Sequence, residues 1–307
     1  MSGLHHSVTR AFGVADIVRE KGYYKTADNT KMIRKTKDSK EQILARHQIT
    51  EHCVGAGYLW MDRYHMSLHG LPYVFSEGNH YIMTDLIRHR EANFSSDEEF
   101  LKVVESLAHW HSCARGVPFS TPLHSCNIPL TEIFKVQIKS LDSIRKKIRK
   151  SPKWSDFDVC TLKNYPEYRE RMRQALQLLE GTGYLRRFNK AKEKNHICHS
   201  SLKEENLHIS SDDIYITKLD AAMVNYQLND LCGLIRRREK KHKDLSHSRI
   251  LEVYSGILPL ETEEEVILEA MLLYPFAFIK LVMEYYQKKR SWTPVAMTNK
   301  MKEILLT

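Results

Sequence analysis

In the first third of the chain, apolar and polar residues alternate in short runs that are separated by turn residues. Such alternation is typical of strands with one buried face. The predicted strands are residues 16–20, 23–26, 31–35, 59–63, 71–76 and 79–84, with turns at 28–29 and 76–79. A helix at residues 41–53, behind the N-cap residue Ser39, interrupts them. The pattern predicts a small antiparallel sheet that is accompanied by one helix.

From Ser96 onward the spacing of apolar residues becomes helical. Residues 97–113 carry apolar side chains along one face, and acidic residues occupy the first turn after Ser95 and Ser96. Three long amphipathic stretches follow at residues 130–149, 165–188 and 261–289, the last divided near Pro275. We therefore expect an α+β fold with two lobes, a small antiparallel β-sheet lobe at residues 1–85 and a larger helical lobe at residues 86–307.

The charge of the chain narrows the choice of partner only slightly. The 307 residues carry a formal net charge of +9, and the basic residues are spread along the chain. Two basic runs, residues 145–150 and 236–243, are expected to be solvated, with an acidic partner surface as the alternative. Few aromatic residues lie among them, so single-stranded nucleic acid is an unlikely ligand.

The six cysteines show neither a Cys-x-x-Cys motif nor a regular spacing, so we expect no zinc ribbon and no disulfide framework. Synthesis in a reducing cytoplasm agrees with this. The N-terminus lacks a basic region followed by an apolar run, and no window approaches eighteen apolar residues. We therefore predict neither a signal peptide nor a membrane-spanning segment.

The segment 197–220 contains the candidate chemistry. Kinase-type enzymes use a loop of the form His-x-Asp-x-x-x-x-Asn, in which Asp accepts the substrate proton and Asn binds metal, and a second Asp follows on a strand. Here His199 begins such a loop, Asn206 ends it, and Asp220 follows a run predicted to be a strand at residues 214–219. Asn206 and Asp220 are therefore the predicted ligands of magnesium.

The position of the catalytic base is occupied by Ser201 instead of Asp. A serine hydroxyl cannot accept the substrate proton as a carboxylate does, and general-base assistance is typically worth about 10²–10⁴-fold in rate. Glu204 and Glu205 are the nearest alternatives, but their places along the loop favour solvated surface roles. We expect a degenerate site.

The order of these motifs resembles the spore-coat proteins of the CotS family, which share the fold of aminoglycoside phosphotransferases and, more distantly, of protein kinases. The resemblance extends over most of the chain. The segments that carry it are residues 21–24, 32–35, 70–74, 81–87, 107–111, 197–220 and 230–237. It implies a protein-kinase-like fold and a cleft for nucleotide.

The resemblance also implies roles for residues of the sheet lobe. Alignment with the family places Arg34 where a lysine anchors the phosphates, and Lys35 is the alternative one residue on. Glu51 is a candidate helix partner of that cation, although a surface role suits it equally well. Backbone groups of Thr84 and Leu86, in the connection between the lobes, are candidate contacts for an adenine ring.

The same resemblance implies a role as a spore-coat component, synthesised in the mother-cell cytoplasm and then incorporated into the coat beside other spore coat proteins. With Ser201 at the base position, we interpret the chain as a catalytically impaired kinase-like protein. An active phosphotransferase that uses ATP and magnesium is the second interpretation. A scaffold that only senses nucleotide is the third.

Overall fold

The computed structural model describes residues 3–14, 17–20, 23–27, 30–87, 89–121, 123–210, 213–241, 244–287 and 293–306. The chain divides into two compact units. The first comprises Met1–Cys126 and Lys190–Pro259, and the second comprises Asn127–Asn189 and Leu260–Thr307. The candidate loop and the residues predicted to face it all belong to the first unit.

The first unit begins with helix α1 (Gly3–Ala11), which the sequence pattern did not predict. A five-stranded sheet follows, in the order β1-β2-β3-β5-β4 with antiparallel neighbours. Its strands are β1 (Ile17–Glu20), β2 (Tyr23–Thr26), β3 (Lys31–Thr36), β4 (Val74–Ser76) and β5 (Asn79–Asp85). Val8 and Phe12 pack with Ile33 and Met83 in one core cluster, so α1 covers one face of the sheet.

Local sequence signals explain the start of the helix that follows β3 and the tight turn between β4 and β5. Ser39 caps α2 (Lys40–Gly55) through a capping box with Gln42, as the sequence predicts. Ser76 pairs with Asn79 across a two-residue turn in which Glu77 and Gly78 have φ of 47° and 73°. Positive φ at both positions is the conformation that tight hairpins favour. The predicted turn at residues 28–29 lies outside the described residues.

The strand predicted at residues 59–63 is wrong. This segment is irregular and makes a single bridge, from Met61 to Ile216. Tyr58 and Tyr64 on either side are buried, so the apolar pattern reflects burial without strand pairing in the main sheet. The predicted strand 71–76 is likewise shorter and begins only at Val74.

The rest of the first unit surrounds the candidate loop. Its helices are α3 (Asp97–Cys113), α7 (Leu228–Glu239) and α8 (His247–Ile257), and α6 (Tyr184–Glu193) ends in it. Its short strands are β6 (Arg90–Glu91), β7 (Ile197–Cys198), β8 (Leu207–Ser210), β9 (Asp213–Ile216) and β10 (Met223–Val224). They form a three-stranded sheet, β6-β8-β9, and a two-stranded sheet, β7-β10. The candidate loop begins directly after β7 and ends directly before β8, so a hydrogen-bonded strand flanks it on each side.

The second unit contains the remaining helices, α4 (Leu130–Arg149), α5 (Asp156–Gly181), α9 (Thr262–Leu273), α10 (Phe276–Tyr286) and α11 (Pro294–Leu306). Stacked aromatic rings join them, among them Phe134 on Tyr274 at 3.5 Å between centroids. The predicted stretch 165–188 is in fact the end of α5 and the start of α6. The chain breaks at Gly183, whose φ of +64° a helix cannot accommodate.

Within the described residues, no single helix is long and apolar enough to cross a membrane. The pair α9 and α10, bent by 42° at its break, meets the length and composition criteria only when the two helices are taken together.

Candidate functional site

The candidate loop begins with a histidine that is built into the core. His199 is fully buried, and its Nε2 lies 2.9 Å from the carbonyl oxygen of Thr217. The backbone N–H of Ser201 donates to His199 Nδ1 at 3.2 Å, so Nδ1 accepts and Nε2 donates. Burial lowers the pKa of His199, which agrees with this neutral form. The ring thus connects the loop to the segment before Asp220.

A buried carboxylate fixes the backbone next to this histidine. Asp230 on α7 accepts hydrogen bonds from the backbone N–H of His199 at 2.6 Å and of Ser200 at 2.8 Å. Ser200 has φ of 61°, a left-handed conformation that costs a non-glycine residue roughly 1–2 kcal/mol. The two hydrogen bonds to the Asp230 side chain offset this cost.

Asp230 is in turn positioned by a buried histidine and a buried tyrosine. His111 Nε2 lies 3.2 Å from Asp230 Oδ2, and His111 Nδ1 lies 2.8 Å from the hydroxyl of Tyr254. All three side chains are buried. The motif order included Asp230, but only the structure shows it as the residue that positions the loop. Sequence reasoning therefore missed its role, although its place after Asp220 was the available signal.

Ser201 and Asn206 lie together, as the spacing predicts. Asn206 Nδ2 donates to the carbonyl oxygen of Ser201 at 2.8 Å and lies 3.4 Å from its hydroxyl. Asn206 is 3% exposed, and its Oδ1 is buried with no hydrogen-bond partner among the described residues. A buried acceptor without a partner costs about 1–3 kcal/mol, so this oxygen is a candidate metal ligand.

Asp220 lies on a 3₁₀ turn (Leu219–Ala221), and the strand predicted to run up to it ends earlier, at Ile216. The reason is Lys218, whose φ of 60° breaks the strand alternation. The backbone N–H of Lys218 donates to Asp62 Oδ2 at 2.9 Å. Burial raises the pKa of this Asp62 carboxyl. A buried acid thus stabilises the turn that presents Asp220.

Two arginines contact Asp220. Arg34 Nη2 on β3 donates to Asp220 Oδ1 at 3.1 Å. Arg46 on α2, which is 4% exposed, donates to the carbonyl oxygen of Asp220 and also pairs with Asp38. Lys35 follows Arg34 on the strand and is exposed. Of the two cations that the sequence left open, Arg34 is the one that faces Asp220.

Glu51 does not meet Arg34. Its carboxylate forms a two-pronged ion pair with Arg63, with both contacts at 2.8 Å. The residue that α2 directs at the site is Arg46, five positions earlier. Five residues rotate a helix by about 140° beyond a full turn, so Glu51 and Arg46 point in different directions. Sequence reasoning missed Arg46, because a charged helix residue gives no sign of its burial.

Two residues at the end of β5 were predicted to offer backbone groups to an adenine ring. Thr84 is buried within the strand, opposite Met32. The backbone N–H of Leu86 donates to Thr30 at 2.9 Å. An adenine ring that used the Leu86 amide would have to displace this internal hydrogen bond.

The oxygen atoms of Asn206 and Asp220 suit magnesium, which prefers carboxylate and carbonyl oxygens together with substrate phosphates and water. The described residues contain no group of three or more His, Cys, Asp or Glu side chains placed to hold a metal. Bound ATP and magnesium would supply the transferable phosphoryl group and the charge that neutralises it. Arg34 would compete with that metal for Asp220.

Comparison with solved structures identifies the fold. An aminoglycoside phosphotransferase from Alicyclobacillus acidocaldarius is similar with a TM-score of 0.84 at 14% identity, covering 98% of this chain and 91% of its own. The AMP-bound spectinomycin phosphotransferase APH(9)-Ia is similar with a TM-score of 0.61 at 14% identity, covering 96% and 92%. The chain therefore has the kinase-like fold of aminoglycoside phosphotransferases, and the predicted fold class is confirmed.

A further structural relative, the amicoumacin kinase hAmiN in complex with AMP-PNP and Ca²⁺, has a TM-score of 0.57 at 12% identity, covering 94% and 87%. The family model described as "Spore coat putative kinase YutH" matches residues 13–307. The protein belongs to this family, which confirms the predicted resemblance to kinase-like spore-coat proteins. A search of curated proteins found no match. The boundary of the lobes near Asp85 and the roles of the site residues remain predictions.

Proposed function

We propose that this protein acts as a spore-coat component whose kinase-like site is catalytically impaired. The family supports the coat association. Ser201 supports the impairment, because a hydroxyl at the base position supplies neither a proton acceptor nor negative charge. The protein would be made in the mother-cell cytoplasm and join the coat through contacts with other coat proteins.

The contact between Arg34 and Asp220 is the observation that carries this proposal. Asp220 is one of the two predicted metal ligands, and its carboxylate is paired with a side chain of the protein itself. Arginine remains charged at any physiological pH, so the ion pair does not relax by deprotonation. Arg46 anchors the backbone of the same residue from a buried position. Arg34 would thus supply at Asp220 the positive charge that a metal ion supplies in an active site.

An active phosphotransferase that uses ATP and magnesium is the second candidate function, and one observation favours it. Asn206 Oδ1 is buried without a partner among the described residues, as expected of an atom kept for an ion. The positioning of the loop by Asp230 also agrees with a working site. The acceptor would then be a small molecule or a protein.

Turnover of ATP separates the two candidates. Purified full-length protein is incubated with ATP and magnesium, alone and with aminoglycosides or choline-like alcohols, and ADP release is measured. We expect no turnover above that of a matched Asp220→Asn variant. Robust turnover by the unaltered chain that Asp220→Asn abolishes would overturn the impaired-site proposal and establish the enzyme.

A further inference from the structure

We propose that a basic groove between α4 and α5 binds an acidic, extended segment of a polypeptide partner. The groove is a cavity of about 520 Å³ in the second unit. It is lined by Asp142, Arg145, Lys146, Arg149, Tyr165 and Arg169. Four positive side chains face one carboxylate, which leaves a net charge of +3. That excess favours an anionic occupant.

The inner part of the groove is preorganised. Tyr165 is 8% exposed, and its hydroxyl donates to Asp142 Oδ1 at 2.6 Å. The guanidinium of Arg145 lies over the Tyr165 ring at 4.5 Å from the centroid. Arg169 Nε lies 3.6 Å from Asp142 Oδ1. Two arginines are thus oriented by one tyrosine and one carboxylate, which lowers the entropy cost of binding an anion.

The outer part of the groove carries charge without internal compensation. Lys146 and Arg149 have no ion-pair partner in the part of the chain that the structure describes. Arg149 also lies one helical turn from Arg145, and like charges at that spacing destabilise a helix slightly. Cations in the last turn of a helix stabilise it modestly, and an anionic ligand would relieve the remaining repulsion between the like charges.

The geometry favours carboxylates over phosphates. The groove lies along the last two turns of α4, where the helix dipole is negative, and no helix N-terminus contributes amide groups to it. Arginine forks match carboxylates in a two-pronged geometry, as they also match phosphates, so the lack of amide groups is what favours a carboxylate here.

The spacing favours an extended peptide. Arg145 and Arg149 are separated by four residues, about 6 Å along the helix. Carboxylates on alternate residues of an extended chain lie about 6.7 Å apart on one face. Tyr165, the one aromatic residue of the lining, is covered by Arg145, so the groove offers no platform for stacking nucleic-acid bases.

Binding of a labelled peptide tests this directly. The probe is a fluorescein-labelled octapeptide of alternating Glu and Ser, titrated with the full-length protein and followed by fluorescence anisotropy. The groove variant carries Lys146→Gln and Arg149→Gln. The control carries Lys147→Gln and Lys150→Gln, which removes the same charge from the end of the same helix outside the groove lining.

We expect the groove variant to weaken peptide binding at least tenfold and the control to change it less than twofold. Equal weakening by both variants, or no saturable binding by the unaltered protein, would overturn the proposal. Inorganic tripolyphosphate and a ten-nucleotide oligothymidylate serve as competitors. Tighter binding of either one than of the peptide would also overturn it.

We assign the acidic segment to another coat protein; this assignment rests on the proposed function, whereas the binding test does not. If ATP turnover is found while the groove variant still loses the peptide, the impaired-site proposal fails and the groove proposal stands. If ATP turnover is absent and the groove and control variants bind the peptide equally well, the groove proposal fails and the impaired-site proposal stands.

Discussion

The two sides of the candidate loop differ in how well their polar groups are satisfied. On the inner side, Asp230 accepts hydrogen bonds from the backbone of His199 and Ser200, and the His111 side chain contacts the Asp230 carboxylate. On the outer side, Ser201 replaces the expected carboxylate and Arg34 engages Asp220. The groups that shape the loop are paired with one another, whereas the proposed catalytic groups depart from the expected pattern. We therefore expect that each side can be altered by itself.

The largest effect is expected on the inner side, from Asp230→Ala. This change leaves the buried backbone N–H of His199 and the partly buried N–H of Ser200 unpaired, and Ser200 in an uncompensated left-handed conformation. We expect a loss of about 3 kcal/mol in the free energy of unfolding, measured by urea denaturation. Asp230→Asn retains one acceptor oxygen and should lose less. A loss below about 1 kcal/mol for the alanine variant would contradict the role given to Asp230.

The next effect concerns α7, where a basic run at residues 236–243 was predicted to be a solvated surface. Arg238 departs from that prediction: it is 3% exposed and donates to Phe94 O and Asp97. Residues 242–243 lie outside the described residues. We expect Arg238→Gln to destabilise the protein by about 2 kcal/mol and the matched Arg237→Gln, at an exposed position, by less than about 0.5 kcal/mol. Equal effects in thermal denaturation would show that Arg238 is not structural.

The inner side should also respond to pH. Burial lowers the pKa values of His111 and His199 below the usual histidine value. As the pH falls through about 6.5, the unfolded chain therefore binds more protons than the folded chain. The free energy of unfolding is highest above this pH and declines below it, by up to about 1.4 kcal/mol per pH unit for each histidine. In urea denaturation at pH 5 to 7.5, His199→Gln should show a shallower decline. Rising stability toward pH 5 would contradict this account.

The smallest effect is expected on the outer side. The Ser201 hydroxyl makes one long contact of 3.4 Å with Asn206. Ser201→Ala should therefore change the free energy of unfolding by less than about 0.5 kcal/mol, measured in parallel with Asp230→Ala. A loss comparable with that of the Asp230 variant would mean that both sides of the loop are structural.

The sequence predicted those parts of the fold that have local causes. The bounds of α3 and α4 follow from an amphipathic stripe, with an N-cap at Ser96 for α3, and the structure confirms both helices to the residue. The strand at residues 59–63 failed, because burial of Tyr58 and Tyr64 produces a strand-like pattern without a strand partner.

The candidate site was predicted less completely, since long-range contacts leave no periodic signal. The order His199, Asn206, Asp220 identified the loop from the sequence. The pairing of Arg34 with Asp220 joins residues 186 positions apart, and the burial of Arg46 depends on the same packing. Neither contact can be derived from local spacing, and for the same reason Glu51 was predicted as the partner of Arg34 while Arg46 was missed.

Calorimetric titration of ATP with and without magnesium tests the central claim, that Arg34 takes the electrostatic place of the metal at Asp220. For the unaltered protein, we expect magnesium to change the heat and affinity of ATP binding less than twofold. The Arg34→Gln variant frees Asp220 and should bind ATP more tightly with magnesium than without it. The account would be contradicted if magnesium raised the ATP affinity of the unaltered protein tenfold or more and Asp220→Asn removed that gain.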